Sequence, residues 1–216
     1  MTIDSDASIS STANAYSAAG GMGGSWSDLH PSAAGSKGAL ESQTSAFYDV
    51  IFRRRSIRNY RCDPISEDVL ARILGAALRA PSARNKQPWH YVVVTDSRIR
   101  ARLRRAYDRE WFFNAPVIVC ACGEPSRNPA NPSARDYRDI DVSISLDHLV
   151  LAATAEGLGT CWVGAFDAGV VRAELRIPDG IDPLIMTPLG YPHEAPPPRE
   201  RRPLREVVHR NLWGSP

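Results

Sequence analysis

Beyond residue 45 the apolar side chains fall into two alternating rhythms, one of three to four residues and one of two. Phe47, Val50, Ile51 and Arg54 keep helical spacing, which predicts a short first helix ending in a basic cluster. Ser66 is placed to cap a second helix, whose apolar stripe is Val69, Leu70, Ile73, Leu74, Ala77 and Leu78. Ala80-Pro81 closes it. Trp89 to Thr95 predicts a strand, followed by a charged helix from Ser97 to about Arg109. Pro116 to Cys122 is a nearly unbroken apolar run, as in a strand buried on both faces. Val142, Leu146, Leu149, Val150 and Ala153 predict a long helix over Asp141 to Glu156, which Gly157 and Gly159 end. Thr160 to Ala165 predicts a strand, Ala168 to Leu175 a helix, and Pro183 to Tyr191 a last strand. This alternation predicts an α+β or α/β domain with both faces of a central sheet covered.

Composition changes that picture at the ends. Residues 1–44 are dominated by Ser, Ala and Gly and hold too little apolar surface to offset their ordering entropy. A flexible tail is expected there, with Trp26 and Leu29 either incidental or able to dock. The folded domain is expected over residues 45–216. Gly123 to Arg135, rich in Pro and Asn, is a candidate mobile loop. Pro196 to Trp213 reads as a basic, proline-rich arm.

The chain has 26 basic and 24 acidic residues, a formal charge of +2 that argues against a nucleic-acid binder. No stretch approaches the roughly 20 apolar residues that span a bilayer. The acidic start, Met1 to Asp6, has no apolar run behind it, so a cytoplasmic protein is expected. Cys62, Cys120, Cys122 and Cys161 lie in core-like segments and are expected as buried, reduced thiols. They lack the neighbouring ligands of a metal site, and none is expected.

Three segments carry candidate chemistry. Arg53-Arg54-Arg55-Ser56-Ile57-Arg58 sets four arginines within six residues, where an anion would relieve their repulsion. An ordinary basic surface patch fits equally well. Ala80 to Trp89 is a loop stiffened by Pro81 and Pro88 that offers Ser82, Asn85 and Gln87 as hydrogen-bonding groups. Its polar side chains also suit plain exposure to water. In the segment from Gly157 to Asp167, Gly164 follows an apolar strand, where a missing side chain lets a flat ligand approach or simply opens a turn.

In order along the chain, these segments resemble the nitroreductase flavoprotein family. Arg-Arg-Ser-x-Arg is followed by Ala-Pro-Ser-x-x-Asn-x-Gln-Pro-Trp, Asn114-Ala115-Pro116, Gly-Leu-Gly-Thr-Cys-Trp-Val-Gly and Leu189-Gly190-Tyr191-Pro192. Arg201 to Val208 completes the series, so the resemblance runs from about Phe47 to Trp213. It implies an α+β fold with a central mixed sheet and a C-terminal arm exchanged across a homodimer. It implies tightly bound FMN, with NAD(P)H a transient substrate. Arg54, Arg55, Ser56 and Arg201 are then expected around the phosphate, and Arg58 at the N1–C2=O edge of the ring. Ser82 and Asn85 are expected against the flavin or its ribityl chain. Val163, Gly164 and Ala165 are expected to present backbone N–H to flavin N5.

The implied activity is ping-pong transfer from NAD(P)H to a small acceptor such as a nitroaromatic or quinone. The cofactor carries that chemistry, so no nucleophile–base pair is needed. No dinucleotide fingerprint is present, since the glycine run Gly20 to Gly24 follows no strand. Three alternatives stay open: a flavin-dependent oxidase of a peptide-derived substrate, as in cyclic-dipeptide oxidases; a non-catalytic FMN-binding or scaffolding protein; and an anion- or nucleic-acid-binding module built on the arginines. Iodotyrosine deiodinases match less well, because Lys37 and Lys86 are the only lysines and neither lies in the Gly123–Arg135 loop.

Overall fold

Seven consecutive buried residues, Val117–Gly123, form the strand on which the domain is assembled. Its side chains alternate between two separate cores, and helices cover both faces of the sheet as expected. The computed structural model describes residues 37–125 and 136–215, within one unit spanning Gly35–Pro216. The strands are β1 (Trp89–Val94), β2 (Val117–Gly123), β3 (Gly159–Thr160) and β4 (Asp182–Gly190), in the order β1-β2-β4-β3. All three pairings are antiparallel. The mixed character rests on one parallel bridge, Ser56 to Thr160.

The helices are α1 (Lys37–Arg53), α2 (Glu67–Ala77), α3 (Ser97–Arg102), α4 (Glu110–Phe113), α5 (Arg138–Ala155) and α6 (Ala168–Leu175). Val117, Val119 and Ala121 of β2 pack with Leu70, Ile73 and Ala77 of α2 and with Val142, Leu146 and Leu149 of α5. On the other face Ile118, Cys120 and Cys122 meet Leu103, Phe112 and Val171. The Cys120 and Cys122 thiols lie 3.6 Å apart in that second core, so both are buried as expected. Ser66 caps α2 and Asp167 caps α6, each through its side-chain oxygen.

Several expectations need correction. The first helix begins at Lys37, because Ala39, Leu40, Glu41 and Gln43 are good helix formers inside a stretch that otherwise reads as tail. Residues 1–36 of that expected tail, Trp26 and Leu29 among them, lie outside the described residues. So do residues 126–135 of the expected mobile loop. The charged helix stops at Arg102, and a 3₁₀ turn at Leu103–Arg105 follows, which buries Leu103 completely. The strand after Gly159 lasts two residues, since the Thr187 hydroxyl takes the Cys161 N–H at 3.2 Å. Pairing then resumes as a single bridge between Val163 and Met186. Cys62 is exposed: it sits on the irregular surface crossing between α1 and α2, away from both cores. Among the described residues no helix is long and apolar enough to cross a membrane.

Phe112 is fully buried among Tyr107, Trp111 and the β2 side chains. Phe112→Ala is expected to cost about 3–5 kcal/mol in chemical denaturation, by lost burial plus a residual cavity.

Candidate functional site

The arginine segment follows α1 rather than lying on it. Ile57 is the reason: it is buried, and an extended backbone delivers it to the sheet. Arg53, the last helical residue, pairs with Asp49 at 2.6 Å. The Arg55 guanidinium turns back and donates to the Phe52 and Arg54 carbonyls at 2.5 and 2.9 Å, placing a cation over the negative end of α1. Ser56 then bridges to Thr160, and the Ile57 N–H donates to the Thr160 carbonyl at 2.9 Å. Gly159 permits this approach, for a Cβ there would stand 2.6 Å from the Ile57 side chain.

The Arg58 N–H donates to Glu194 Oε1 at 2.5 Å, and its guanidinium lies 5.8 Å from the Trp111 ring centroid. Neither Arg54, Arg55 nor Arg58 has a carboxylate ion pair among the described residues. Beside them burial pushes the Cys161 thiol up, against the pull of Arg58, a Ser56 hydrogen bond and Arg54. Burial likewise pushes the Tyr60 phenol up, and its hydroxyl donates to the Ile57 carbonyl at 2.5 Å. A cleft of about 680 Å³ opens here, lined by Arg58, Tyr60, Cys62, Glu110, Trp111 and Asn114.

Val163 is locked to Met186 by two backbone hydrogen bonds of 2.8 and 2.9 Å. Gly164 and Ala165, just beyond, are exposed. A Cβ built on Gly164 meets nothing within 4 Å, so its backbone is bare on an open face. The Ser82 hydroxyl accepts from the Gln87 N–H at 2.9 Å, while the Gln87 amide reaches Asn85 Oδ1 at 3.2 Å. This loop is tied to the first turns of α5 by the Asp141 carboxylate, which takes the Ala83 N–H at 3.1 and 3.2 Å.

Within one chain the expected residues therefore fall into groups. Arg54, Ser56 and Arg58 gather at the β3 edge, and Val163, Gly164 and Ala165 continue the backbone from β3. Residues Arg53, Arg55 and Ile57 line a groove with Thr154 and Leu158, at the C-terminal end of α5. Ser82 and Asn85 lie at its N-terminal end beside Asp141. The rise of about 1.5 Å per residue makes that roughly 20 Å of helix. Arg201 donates to the Glu200 carbonyl in its own arm. Sequence reasoning missed Glu110, Trp111, Asp141 and Glu194. Trp111 precedes Asn114 by one helical turn, and Asp141 is an acid at the head of an apolar stripe, so both left a signal.

Among the described residues no group of three or more His, Cys, Asp or Glu side chains is placed to hold a metal ion. Residues 51–107 and 104–191 match the nitroreductase family, spanning both the arginine segment and Gly164. The chain belongs to the nitroreductase family. An NADH dehydrogenase of Thermus thermophilus is 34% identical, with 81% of this chain and 96% of that protein covered. A 5,6-dimethylbenzimidazole synthase of Rhodospirillum rubrum is 32% identical, with 69% and 83% covered. Nitroreductase A of Vibrio parahaemolyticus superposes with a TM-score of 0.71 at 28% identity, covering 79% of this chain and 78% of its own. This nitroreductase-family chain is thus an oxidoreductase of nitroreductase or NADH-dehydrogenase type. Arg201 lies beyond the matched residues.

Two glycine substitutions separate framework from open surface. Gly159→Ala is expected to lose about 1–3 kcal/mol by overpacking against Ile57, read as a lower denaturation midpoint. Gly164→Ala is expected to melt within about 0.5 kcal/mol of the parent, since its methyl has free space.

Proposed function

We propose that this protein is an FMN-dependent oxidoreductase that takes a hydride from NAD(P)H and reduces a small acceptor such as a nitroaromatic or quinone. The observation that carries it is the cluster of Arg54, Ser56 and Arg58, whose guanidiniums form no carboxylate ion pair among the described residues, on the same sheet edge as the bare Gly164 backbone. The donor set fits the group. Guanidinium and hydroxyl donors suit a phosphate, and an exposed glycine backbone suits a flat ring laid against it.

When bound, FMN supplies the hydride chemistry. The chain binds and tunes it. Arg54 and Ser56 hold the phosphate, with Arg201 joining from the C-terminal arm and Arg55 securing the end of α1 behind them. Arg58 faces the N1–C2=O edge, where a fixed cation stabilises the negative charge of the reduced ring. Val163 fixes the strand so that the N–H groups of Gly164 and Ala165 address N5. The nicotinamide and the acceptor occupy the same space in turn, a ping-pong scheme.

A homodimer reconciles the two ends of α5: Ser82 and Asn85 of one chain complete the site built on Arg54 and Arg58 of the other. Exposed apolar surface supports this reading. Phe52 on α1 is 72% exposed and Trp213 in the arm 91% exposed, with Phe47, Tyr48, Leu204 and Leu212 also open. The free thiols suit a reducing compartment, and we place the protein in the cytoplasm.

A second reading, an oxidase working in the opposite direction, draws on Glu110 and Glu194 beside Arg58. Carboxylates there oppose the charge of the reduced ring. The relative named 5,6-dimethylbenzimidazole synthase adds that chains of this identity are not all named for one reaction.

The purified protein is expected to be yellow, and NADH or NADPH is expected to bleach it under anaerobic conditions. Menadione should restore the colour, and Gly164→Ala should weaken FMN binding without lowering the melting point of the FMN-free protein. A colourless protein that takes up no FMN overturns the proposal. Bound flavin that neither nicotinamide bleaches leaves a binding protein, or an oxidase if oxygen uptake follows addition of a cyclic dipeptide.

A further inference from the structure

Asp141 is a carboxylate only 3% exposed, inside the first turns of α5, and it pairs with no cation among the described residues. A buried charge is costly unless something holds it there. What it holds is a backbone: both oxygens receive the Ala83 N–H, at 3.1 and 3.2 Å. Ser145, one turn further along the same face of α5, is fully buried and donates to the Ala77 carbonyl at the end of α2, at 2.8 Å. With its proton committed there, Ser145 accepts from the Tyr91 hydroxyl on β1 at 2.6 Å. Burial pushes the Tyr91 phenol up to about 12, so it keeps the proton it donates.

These bonds grip the connection between α2 and β1 at its entry, its middle and its exit. The held segment is under strain. Arg84, Asn85 and Gln87 have φ of 54°, 55° and 49°, left-handed values that residues with a Cβ adopt at a cost. Three such residues within four positions stay in place only if the surroundings fix them, and among the described residues the Asp141 side chain reaches into the segment itself. Ser82 and Asn85, which the proposed function assigns to the flavin, flank the Ala83 amide that Asp141 holds.

We infer that Asp141 is a positioning residue: its buried carboxylate, backed by Ser145 and Tyr91, sets the Ser82–Gln87 loop in the strained conformation that presents Ser82 and Asn85 to the ligand. The inference rests on the proposed flavin site for its ligand, and on the structure alone for the loop. Asp141→Asn keeps an acceptor for the Ala83 N–H, whereas Asp141→Ala removes it. Ala83→Pro removes the donor instead, and Ser82, at φ −141° and ψ 155°, already has the extended geometry that precedes proline.

The test combines hydrogen exchange at the amides of residues 82–87 with fluorescence titration of FMN, on the full chain. Asp141→Ala and Ala83→Pro are each expected to speed exchange in the loop and weaken FMN binding about tenfold, the equivalent of one lost hydrogen bond. Asp141→Asn should stay within about threefold of the parent. The double variant Asp141→Ala/Ala83→Pro should be no worse than either single one, because both remove the same bond. Unchanged loop exchange in Asp141→Ala overturns the inference, as does additive loss in the double variant. If Asp141→Ala does not fold, Ala83→Pro decides by the same exchange and titration readings. Failure of the parent protein to bind FMN sinks the proposed function instead, and the exchange result still decides the role of Asp141.

Discussion

The hydrogen bond from the Ile57 N–H to the Thr160 carbonyl fixes where the arginines go. Without it, the residues after α1 are a charged strand of surface chain whose guanidiniums repel one another. With it, the segment becomes an extra partner at the β3 edge, and Ile57 anchors it by entering the apolar interior. Gly159 is part of the same constraint, since any side chain there displaces Ile57. Ser56 and Arg58 flank Ile57 and so turn outward together, and Glu194 fixes the Arg58 backbone from the far side. Cation spacing in the site is therefore set by a main-chain register, not by the flexible side chains.

The second determinant is α5, which runs behind the sheet and touches both halves of the candidate site. Its C-terminal end supports the arginine segment, and its N-terminal end supports the Ser82 loop. Roughly 20 Å of helix separates the two halves within one chain, which is why the proposed flavin site draws on two. In the proposed homodimer the exposed aromatic face of α1 and the apolar arm would share a purpose, as surfaces for a second copy whose approach brings opposite ends of two α5 helices to one ligand.

Periodicity made most of this fold legible. The continuous apolar run at β2 announced a strand buried on both sides, and it divides its side chains between two cores. α6 begins and ends where its capping Asp167 and its apolar spacing place it. What local pattern did not carry was tertiary choice. The third strand stops early because Thr187, distant in sequence, supplies a hydroxyl in place of a ladder carbonyl. The first helix extends upstream because helix propensity hides within a Ser- and Gly-rich composition. Cys62 is exposed although its neighbours look like core, since a crossing between two helices has no fixed inside face. In the site, arginines and glycine were legible as residue types with an obvious chemical use. Glu194 acts on a backbone amide far away in sequence and nothing beside it marks that role, while the acid Asp141 at the head of an apolar stripe shows in the pattern without revealing which distant amide it holds.

Bound FMN per dimer in mixed assemblies decides whether one flavin site draws on two chains. One chain would carry Arg54→Ala and Arg58→Ala, the other Ser82→Ala and Asn85→Gly, and the mixed dimer would be isolated by two affinity tags. Each pure variant dimer is expected to lack flavin, while the mixed dimer regains one FMN, because one of its two sites draws only on intact halves. A mixed dimer as empty as its parents contradicts a shared site, for then both halves of a site belong to a single chain.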